Sequence, residues 1–382
     1  MDAAIRYPAT DSTRQIRPAD IKKTSSAPTS AAAKIPEKAF SNQVDARNHL
    51  DGAIREMSET AKKNHALNIK TQDQAFPVEV IRMTPPSAKA PPVLIMGGMG
   101  PLAGAQAMQA ALDKFGDSRE IVLLQLCDTP DRTAALNRDR ECKGTSPEHH
   151  QVVDRLAEGF AVAQGHLSTT HLGDGHALVA CNTAHNFVPE SFAKFQEKSG
   201  VHNVKIESDS LVRCVTGNLK GETRPVLLLG TDGTRKTNLY TKPLTEAGVA
   251  CINMEGEARK TPDSGYDLDT EMGLLMSAIY DGVKAFKPDV ALERGKQLFN
   301  KLWENNRIGD QGCVILSACT EVPEIMTLLK GDKSSDSIAA KLQNFEIKDP
   351  VAIALNHIET VDAERAAKRT STNAVITPGQ IV

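Results

Sequence analysis

The sequence predicts an α/β fold of two pseudo-symmetric domains, each a mostly parallel sheet flanked by helices. Short apolar runs suited to buried strands alternate with segments of helical periodicity, as in parallel sheets. One order of elements also occurs twice, a strand leading into a glycine turn and, later, a strand ending in cysteine. Gly97 and Cys181 are 84 residues apart, and Gly230 and Cys319 are 89 apart. We therefore expect an internal duplication, with a functional site in the cleft between the domains.

Composition limits the class of protein. The chain has 382 residues, with 40% hydrophobic and 24% charged, which is ordinary for a soluble globular protein. Its net charge of −3 argues against nucleic-acid binding. No apolar run approaches the ~18 residues of a membrane span. The seven cysteines form no CxxC pair, which argues against a disulfide framework or a structural zinc site and favours a reducing, cytoplasmic compartment.

Residues 1–43 are predicted to be a disordered leader. Serine, threonine, alanine and proline dominate this stretch, so it has little apolar surface to bury. It lacks the apolar core of a secretory signal peptide. Leaders read by specialised bacterial secretion systems have such a composition, and so do plain tails. Export through residues 1–43 is therefore an alternative to a cytoplasmic location.

Residues 44–90 are predicted to form an N-terminal helix and a linker. The helix carries one apolar stripe, made of Leu50, Ile54, Met57 and Ala61. This stripe suits packing or a dimer contact. The proline pairs at 85–86 and 91–92 mark the linker, because the residue before a proline resists helix.

The first domain is predicted over 91–211 together with 347–368. A strand at 93–96 runs into Gly97-Gly98-Met99-Gly100-Pro101, and a helix follows. The turn places backbone N–H groups at a helix start, which suits an anion such as a carboxylate. It is neither a dinucleotide fingerprint nor a Walker loop. Further strands are expected at 121–126, before Cys181 and around 204–207, with a helix at 149–167.

The second domain is predicted over 212–346. A strand at 226–229 runs into Gly230-Thr231-Asp232-Gly233-Thr234. Later strands are expected at 249–252 and 313–316, with helices near 270–286 and 290–305. The final helix, 347–368, is predicted to return to the first domain, and 369–382 is predicted to be a flexible tail.

The two strand-end cysteines suggest the chemistry. Each could be an ordinary core cysteine, since free cysteine is often buried. Cys181 could instead be a nucleophile with His185 as base, but that leaves Cys319 unexplained. Two opposed thiols suit inversion of a carbon centre, because one removes the proton while the other delivers a proton to the opposite face. A thiol pKa of roughly 8.5 keeps both protonation states accessible.

Such a reaction needs groups that stabilise negative charge on the substrate. Asn182, Thr183 and Thr320 stand beside the thiols and can donate hydrogen bonds. Arg132 offers a fork of donors for a carboxylate.

Six motifs, spread in order over about 92–365, resemble those of the aspartate/glutamate racemase superfamily, in its aspartate racemase branch. They are Gly97-Gly98-Met99-Gly100-Pro101, Pro130-Asp131-Arg132-Thr133, Cys181-Asn182-Thr183-Ala184-His185, Gly230-Thr231-Asp232-Gly233-Thr234, Ile279-Tyr280-Asp281-Gly282-Val283-Lys284 and Cys319-Thr320-Glu321. The resemblance implies catalysis without pyridoxal phosphate, other cofactors or metals, and a homodimer.

The resemblance also implies roles for individual residues. Cys181 and Cys319 would be the catalytic acid and base. Arg132 and Lys284 would bind the distal carboxylate and its surroundings. The remaining substrate contacts would come from Met99, Gly100, Asn182, Thr183 and Thr320, with Thr231 and Glu321 in support.

The sequence also departs from the family pattern. Ala318 stands where glycine is usual, and the segment 255–269 is longer than usual. Glu321 in place of histidine, and the Gly-Gly-Met-Gly-Pro turn, point away from cell-wall glutamate racemases. We expect a racemase of aspartate or glutamate. The alternatives are another Cα-proton-transfer enzyme, such as a hydantoin racemase or dicarboxylate isomerase, and an exported racemase-like effector.

Overall fold

The computed structural model describes residues 35–66, 76–167, 175–199, 206–261, 264–309, 312–333 and 336–374. Its strands are β1 (Glu37–Phe40), β2 (Glu79–Met83), β3 (Ala90–Gly97), β4 (Arg119–Gln125), β5 (Gly175–Val179), β6 (Ile206–Asp209), β7 (Val226–Leu228), β8 (Cys251–Asn253), β9 (Val314–Leu316) and β10 (Glu346–Lys348). Its α-helices are α1 (Gln43–Ala66), α2 (Pro101–Phe115), α3 (Arg132–Cys142), α4 (Pro147–Leu167), α5 (Val188–Ser199), α6 (Leu211–Leu219), α7 (Asp232–Lys236), α8 (Thr241–Glu246), α9 (Glu271–Ser277), α10 (Pro288–Glu304), α11 (Val322–Gly331), α12 (Asp336–Leu342) and α13 (Pro350–Ala374).

The strands form two sheets. The first has the order β1-β2-β4-β3-β5-β6, and the second has the order β10-β9-β7-β8. Every pairing is parallel except that of β2 with β4. The apolar runs β3, β4 and β5 are buried along most of their length, as expected for strands covered by helices on both faces. The predicted fold class is confirmed.

The two sheets share one strand order. From β3 onward the first sheet runs second-first-third-fourth (β4-β3-β5-β6), and the second sheet does the same (β8-β7-β9-β10). In each sheet the second strand lies on one side of the first strand, and the third strand lies on its other side. The strand order therefore reverses between the first and third strands. Ligands of open α/β sheets bind outside such reversal points, at the carboxyl ends of the strands. The glycine turns follow the first strands and the cysteines follow the third strands, so both signals lie at this point in each sheet.

The N-terminal boundaries differ from the prediction. Glu37–Phe40, placed in the leader, forms β1, and Glu79–Met83, placed in the linker, forms β2. β1 is mostly exposed and lacks an apolar pattern, because hydrogen bonds to β2 rather than core packing hold it in the sheet. β2 is partly buried, but nearby prolines concealed it in the sequence. Residues 1–34 lie outside the described residues, so the rest of the leader stays a prediction.

The C-terminal segments also differ in their bounds. Residues 346–348 form β10, which pairs with β9 in the second sheet, so the predicted boundary at 346/347 falls within a strand. α13 then packs against α6 and α2, on the side of the first sheet. α13 continues to Ala374, into the predicted tail. Residues 375–382 lie outside the described part of the chain.

The helix α1 lies where the sequence predicted one, and it packs against α2. Ala46, Leu50 and Ala61 are fully buried, and the first two belong with Met108 and Leu112 to one apolar core. Among the helices in the described part of the chain, we find none both long and apolar enough to cross a membrane.

Candidate active site

One pocket contains both strand-end cysteines. Its walls come from the loops that follow the strands of both sheets and from the turn that follows α9. The lining residues are Met99, Arg132, Thr133, Cys181, Asn182, Thr183, Thr231, Tyr280, Lys284, Cys319, Thr320 and Glu321. The predicted substrate-binding and supporting residues are thus brought together, with Gly100 immediately behind them against Glu321.

Cys181 lies two residues beyond β5 and is 7% exposed. A short 3-10 helix, Thr183–Asn186, begins directly after it. Nδ1 of the buried His185 lies 2.9 Å from the carbonyl oxygen of Cys181, and its Nε2 accepts from the backbone N–H of Leu211 at 3.2 Å. Burial lowers the pKa of His185 to about 4. His185 is therefore a neutral residue that fixes this loop, and the structure does not place it as a base for the Cys181 thiol.

Cys319 lies three residues beyond β9 and is 5% exposed. Its thiol donates to Oε2 of Glu321 at 2.9 Å, and the Thr320 hydroxyl donates to the same oxygen at 3.2 Å. Burial, and then the negative charge of Glu321, raise the pKa of Cys319 well above its usual range. In this arrangement Cys319 is a thiol and can act as a proton donor.

Gly100 makes room for the Glu321 carboxylate. A Cβ at position 100 would overlap Oε1 of Glu321. The backbone of Gly100 precedes Pro101, the first residue of α2, so the carboxylate lies beside the start of this helix. The turn in the first half of the chain thus leaves space for the partner of the cysteine in the second half.

Arg132 is the first residue of α3 and is 6% exposed. Its Nη1 donates to the Pro130 carbonyl at 2.9 Å, and its Nη2 donates to the Met99 carbonyl. Its Nε has no acceptor among the described residues. Burial alone would lower the pKa of Arg132, but the charges of Cys181 and Asp131 raise it above its ordinary value. The guanidinium therefore stays charged, and we expect it to act on a substrate chiefly through this charge.

Lys284 brings a second cation to the pocket. It follows a π-helical turn, Ala278–Val283, in which the extra residue re-aims the helix; such turns are frequent at functional sites. Its Nζ lies 3.7 Å from Oε1 of Glu321 and 4.3 Å from the ring centre of Tyr280. Burial acts against its charge, but Glu321 and Tyr280 raise the pKa of Lys284 above its ordinary value.

Tyr280 links the two cations. Its hydroxyl donates to Oδ2 of Asp131 at 2.9 Å, and Asp131 caps the helix that Arg132 begins. Burial would raise the pKa of the Asp131 carboxyl, but Arg132 and Lys284 lower it below its usual range. Both residues stand in the motifs, but no role was predicted for either, because 149 residues separate them in the chain.

Asn182 is held by a residue outside the pocket. Tyr240, which is 1% exposed, donates its hydroxyl hydrogen to Oδ1 of Asn182. Nδ2 of Asn182 is buried and has no partner among the described residues. With Oδ1 occupied by Tyr240, the two amide hydrogens are the groups that Asn182 can offer to a ligand. No motif of the sequence pointed to Tyr240.

Four threonines join the two sheets at one side of the pocket. Oγ1 of Thr183, after β5, lies 2.9 Å from Oγ1 of Thr231 and 3.0 Å from Oγ1 of Thr234, both after β7. Thr133, at the start of α3, lies 3.4 Å from Thr231. Thr183 and Thr231, predicted to be a substrate ligand and a support, are thus largely engaged with one another.

No family model matches the chain. Several solved structures resemble it. The aspartate racemase of Picrophilus torridus has 18% identity and a TM-score of 0.48, over 72% of this chain and 95% of that one. An aspartate racemase homologue of Pyrococcus horikoshii has 20% identity and a TM-score of 0.41, over 72% and 99%. The glutamate racemase of Francisella tularensis, in complex with D-glutamate, has 11% identity and a TM-score of 0.42, over 76% and 85%.

Two of these structures are described as an aspartate racemase and an aspartate racemase homologue, and the third is described as a glutamate racemase. At identities of 11–20% and TM-scores below 0.5, these likenesses decide neither the family nor the activity of this chain.

Proposed function

We propose that the protein is a cofactor-independent racemase of an acidic amino acid, aspartate or its relative glutamate. Cys181 and Cys319 are the two catalytic groups. One observation carries the proposal: buried cysteines that follow the third strand of each sheet line the same pocket. A pair of unrelated core cysteines would have no reason to meet at the ligand-binding edge of two sheets with the same strand order.

Racemisation requires two proton transfers at the α-carbon. One thiolate removes the α-proton, so that the Cα–H bond breaks and an S–H bond forms. The electron pair moves towards the carboxylate, and the other thiol then delivers its proton to the opposite face. Cys319 donates to Glu321 and is held as a thiol, which supports Cys319 as acid and Cys181 as base in the first transfer. The roles exchange for the reverse reaction.

The pocket suits a substrate that gains negative charge. Arg132 is a buried cation and Lys284 a largely buried one, and the Asn182 amide nitrogen is a free donor in the same pocket. Donors and charges fixed before the reaction stabilise developing charge without reorganisation. Two cations favour a substrate with two carboxylates. They give less support to a hydantoin racemase, whose ring carries no carboxylate, than to a dicarboxylate isomerase.

The test is hydrogen exchange at the α-carbon. The protein is incubated with L-aspartate, and separately with L-glutamate, in deuterium oxide. We expect α-deuterium and the D-isomer to appear together. Cys181→Ala and Cys319→Ala should each slow D-isomer formation by roughly 10²-fold or more, the scale of losing a general acid or base. Cys142→Ala, which changes an exposed cysteine, is the matched control and should be fully active.

Two outcomes would contradict the proposal. Absence of exchange with both amino acids would remove the racemase assignment, and exchange that persists in both cysteine variants would remove the mechanism. The homodimer implied by the resemblance is a separate proposal, and sedimentation analysis would measure it. Export remains an alternative to a cytoplasmic location, and a reporter fused to residues 1–43 would distinguish the two.

A further inference from the structure

Tyr240 is a buried tyrosine in the second half of the chain that reaches a residue of the candidate active site. It stands directly before α8 and belongs to the apolar core that also contains Leu228, Leu244 and Ala318. Its side chain is 1% exposed and does not line the pocket with the cysteines. Because this core encloses the ring, the hydroxyl is held in one place, against Oδ1 of Asn182.

The backbone of Asn182 is fixed, so only its side chain is able to turn. Its carbonyl oxygen accepts from the N–H of His185 at 3.0 Å, in the 3-10 helix that starts at Thr183. The preceding N–H, of Cys181, donates to the carbonyl of Val179 at 2.9 Å. The terminal torsion of an asparagine side chain is broad and roughly two-fold. A fixed backbone therefore does not decide which end of the amide faces the pocket.

The Tyr240 hydroxyl decides between the two orientations of this amide. Among the described residues, Oδ1 of Asn182 is the acceptor for the hydroxyl hydrogen. If the amide turned over, its N–H would face the hydroxyl, and the hydroxyl hydrogen would be buried without that acceptor, which is unfavourable. Burial, and then the negative charge of Asp349, raise the pKa of Tyr240 well above its usual range. The hydroxyl therefore remains a donor near neutral pH.

The orientation in the structure leaves a donor for the pocket. Asn182 lines the pocket and is 1% exposed, and its Nδ2 is buried without a partner among the described residues. Tyr240 holds Oδ1 from outside the pocket, so the N–H groups of the amide are left for a substrate. The opposite orientation would offer Oδ1, an acceptor, which repels a carboxylate.

We propose that Tyr240 is a positioning residue, which acts on the reaction through Asn182. Its hydroxyl holds the amide with the N–H groups towards the substrate carboxylate, which gains negative charge when the α-proton leaves. Hydrogen bonds in a chain polarise one another, so the bond from Tyr240 also makes the amide a stronger donor. The kinetic effect rests on the proposed racemase function, whereas the orientation of the amide towards a bound carboxylate does not. The rival interpretation is that Tyr240 only fills the core.

A double-mutant cycle in kcat separates positioning from core packing. Asn182→Ala should lower the kcat for conversion of L-aspartate by at least roughly 10²-fold, the scale of losing one preorganised donor to a developing charge. Tyr240→Phe keeps the ring and removes the hydroxyl. We expect it to lower kcat by roughly tenfold, the scale of one hydrogen bond, and to change KM less. In the Asn182→Ala background the same change should have no further effect on kcat.

The matched control is Tyr266→Phe. It also removes one hydroxyl and keeps the ring, but Tyr266 is only half-buried and does not line the pocket. The control should keep the wild-type kcat. Melting temperatures of all variants show whether each one is folded.

A second measurement needs no turnover. It uses succinate, which has two carboxylates and no stereocentre. In NMR spectra of ¹⁵N-labelled protein, the side-chain amide of Asn182 is the pair of signals that Asn182→Ala lacks. We expect succinate to move this pair to lower field in wild type, as for a donor to a carboxylate. The movement should be smaller in Tyr240→Phe and should keep its wild-type size in Tyr266→Phe.

Two results would overturn the proposal. One is a loss of kcat from Tyr240→Phe that is as large in the Asn182→Ala background as in wild type, because the hydroxyl would then not act through the amide. The other is an Asn182 signal pair that succinate leaves in place in wild type, a result that requires no variant of Tyr240. If wild type racemises neither amino acid but succinate moves the pair in a manner that depends on Tyr240, the racemase proposal fails and the positioning of Asn182 stands.

Discussion

Glu321 is the residue that makes the surroundings of Cys319 different from those of Cys181. Its carboxylate accepts from the Cys319 thiol, whereas the residue four positions after Cys181, His185, is neutral and bonded to backbone. The two thiols therefore have different surroundings although they occupy matching positions in the two sheets. A two-base racemase with such an asymmetry should show a different pH dependence of kcat for its two enantiomers, whereas kcat/KM stays equal for both because enantiomers have the same free energy.

The first prediction concerns Glu321→Gln. This change removes a negative charge but keeps an acceptor oxygen, so it should lower the pKa of Cys319, which the Glu321 charge raises. The enantiomer that loses its proton to Cys319 needs the thiolate of that residue. Its kcat should rise with pH in wild type, and in the variant the rise should move to lower pH.

Profiles of kcat against pH for both enantiomers measure this effect. Glu324→Gln is the matched control, because its carboxylate accepts from Gln106 and does not line the pocket. The control should keep the wild-type profile. A profile of Glu321→Gln that stays in place, or moves to higher pH, would show that this carboxylate does not hold the proton on Cys319.

The residues of the candidate site differ in how far sequence could find them. Cys181 and Cys319 stand at the ends of apolar runs, a signal that survives in a single sequence. Lys284 was reached through family resemblance alone, because a lysine in a helical segment is ordinarily exposed. Tyr240 was missed because it meets Asn182 across 58 residues of chain and through another element. Contacts of this kind follow from packing, which no local pattern records.

At the level of elements, His149 ties three helices together. It lies near the start of α4, with Nδ1 2.7 Å from Asp139 of α3 and Nε2 3.0 Å from Glu190 of α5. Its ring is also 4.7 Å from that of Phe187 and 6.0 Å from that of His150. Burial acts against its charge, but the bonds to Glu190 and Asp139 raise the pKa of His149 above its ordinary value.

The second prediction is that His149 stabilises the fold in a pH-dependent manner. A histidine whose folded pKa exceeds its unfolded value of roughly 6.5 stabilises fully below that value, and the contribution is lost as pH rises through the folded pKa. His149→Gln should therefore lower the free energy of unfolding more at pH 6 than at pH 9, by on the order of 1 kcal/mol.

Urea unfolding at the two pH values measures the difference. His150→Gln changes the next residue, which is exposed, and serves as control. We expect the control to show no such dependence. Equal destabilisation by His149→Gln at both pH values would mean that the charge on this ring contributes nothing.

Element boundaries show why part of the fold escaped prediction. β3, β4 and β5 are apolar and buried, so their runs identify them. β1 has four residues with mostly exposed side chains, and its place in the sheet depends on backbone bonds to β2. A strand held by backbone bonds leaves little trace in side-chain pattern. The extra turn residue before Lys284 was hidden for the same reason, since a π-helical turn keeps helical composition.

For the whole molecule, α13 is the element that completes the first half. Its buried residues Ala354, Leu355 and Ile358 share a core with α2 and α6, although the chain passes through the entire second sheet before reaching it. The two halves are therefore not consecutive blocks of sequence. The nearly equal spacing of glycine turns and cysteines is visible in the sequence. The helices that α13 contacts could not be predicted, because one apolar helix face suits several partners.

The third prediction concerns Leu355→Ala. Truncating a buried leucine costs about 2–5 kcal/mol, depending on how far the site can relax. Leu355 is 1% exposed. We expect the loss to loosen this core selectively, with amide hydrogen exchange faster than wild type in α6 and α2 but not in α10 and α11, whose buried residues belong to a separate core. Asn356→Ala, at the exposed neighbouring position, should leave both stability and exchange near wild type. Equal acceleration of exchange in α10 and α11 would contradict a local role for α13.

The path of the chain has a consequence for synthesis. A ribosome releases β3, β4, β5 and α6 early, but the helix that covers their shared core follows only after more than a hundred further residues. Throughout that interval the nascent first half presents an uncovered apolar surface. The half of the protein that is synthesised first is thus the last to have its core covered. Until α13 has been synthesised, the nascent chain exposes an apolar surface through which it can aggregate.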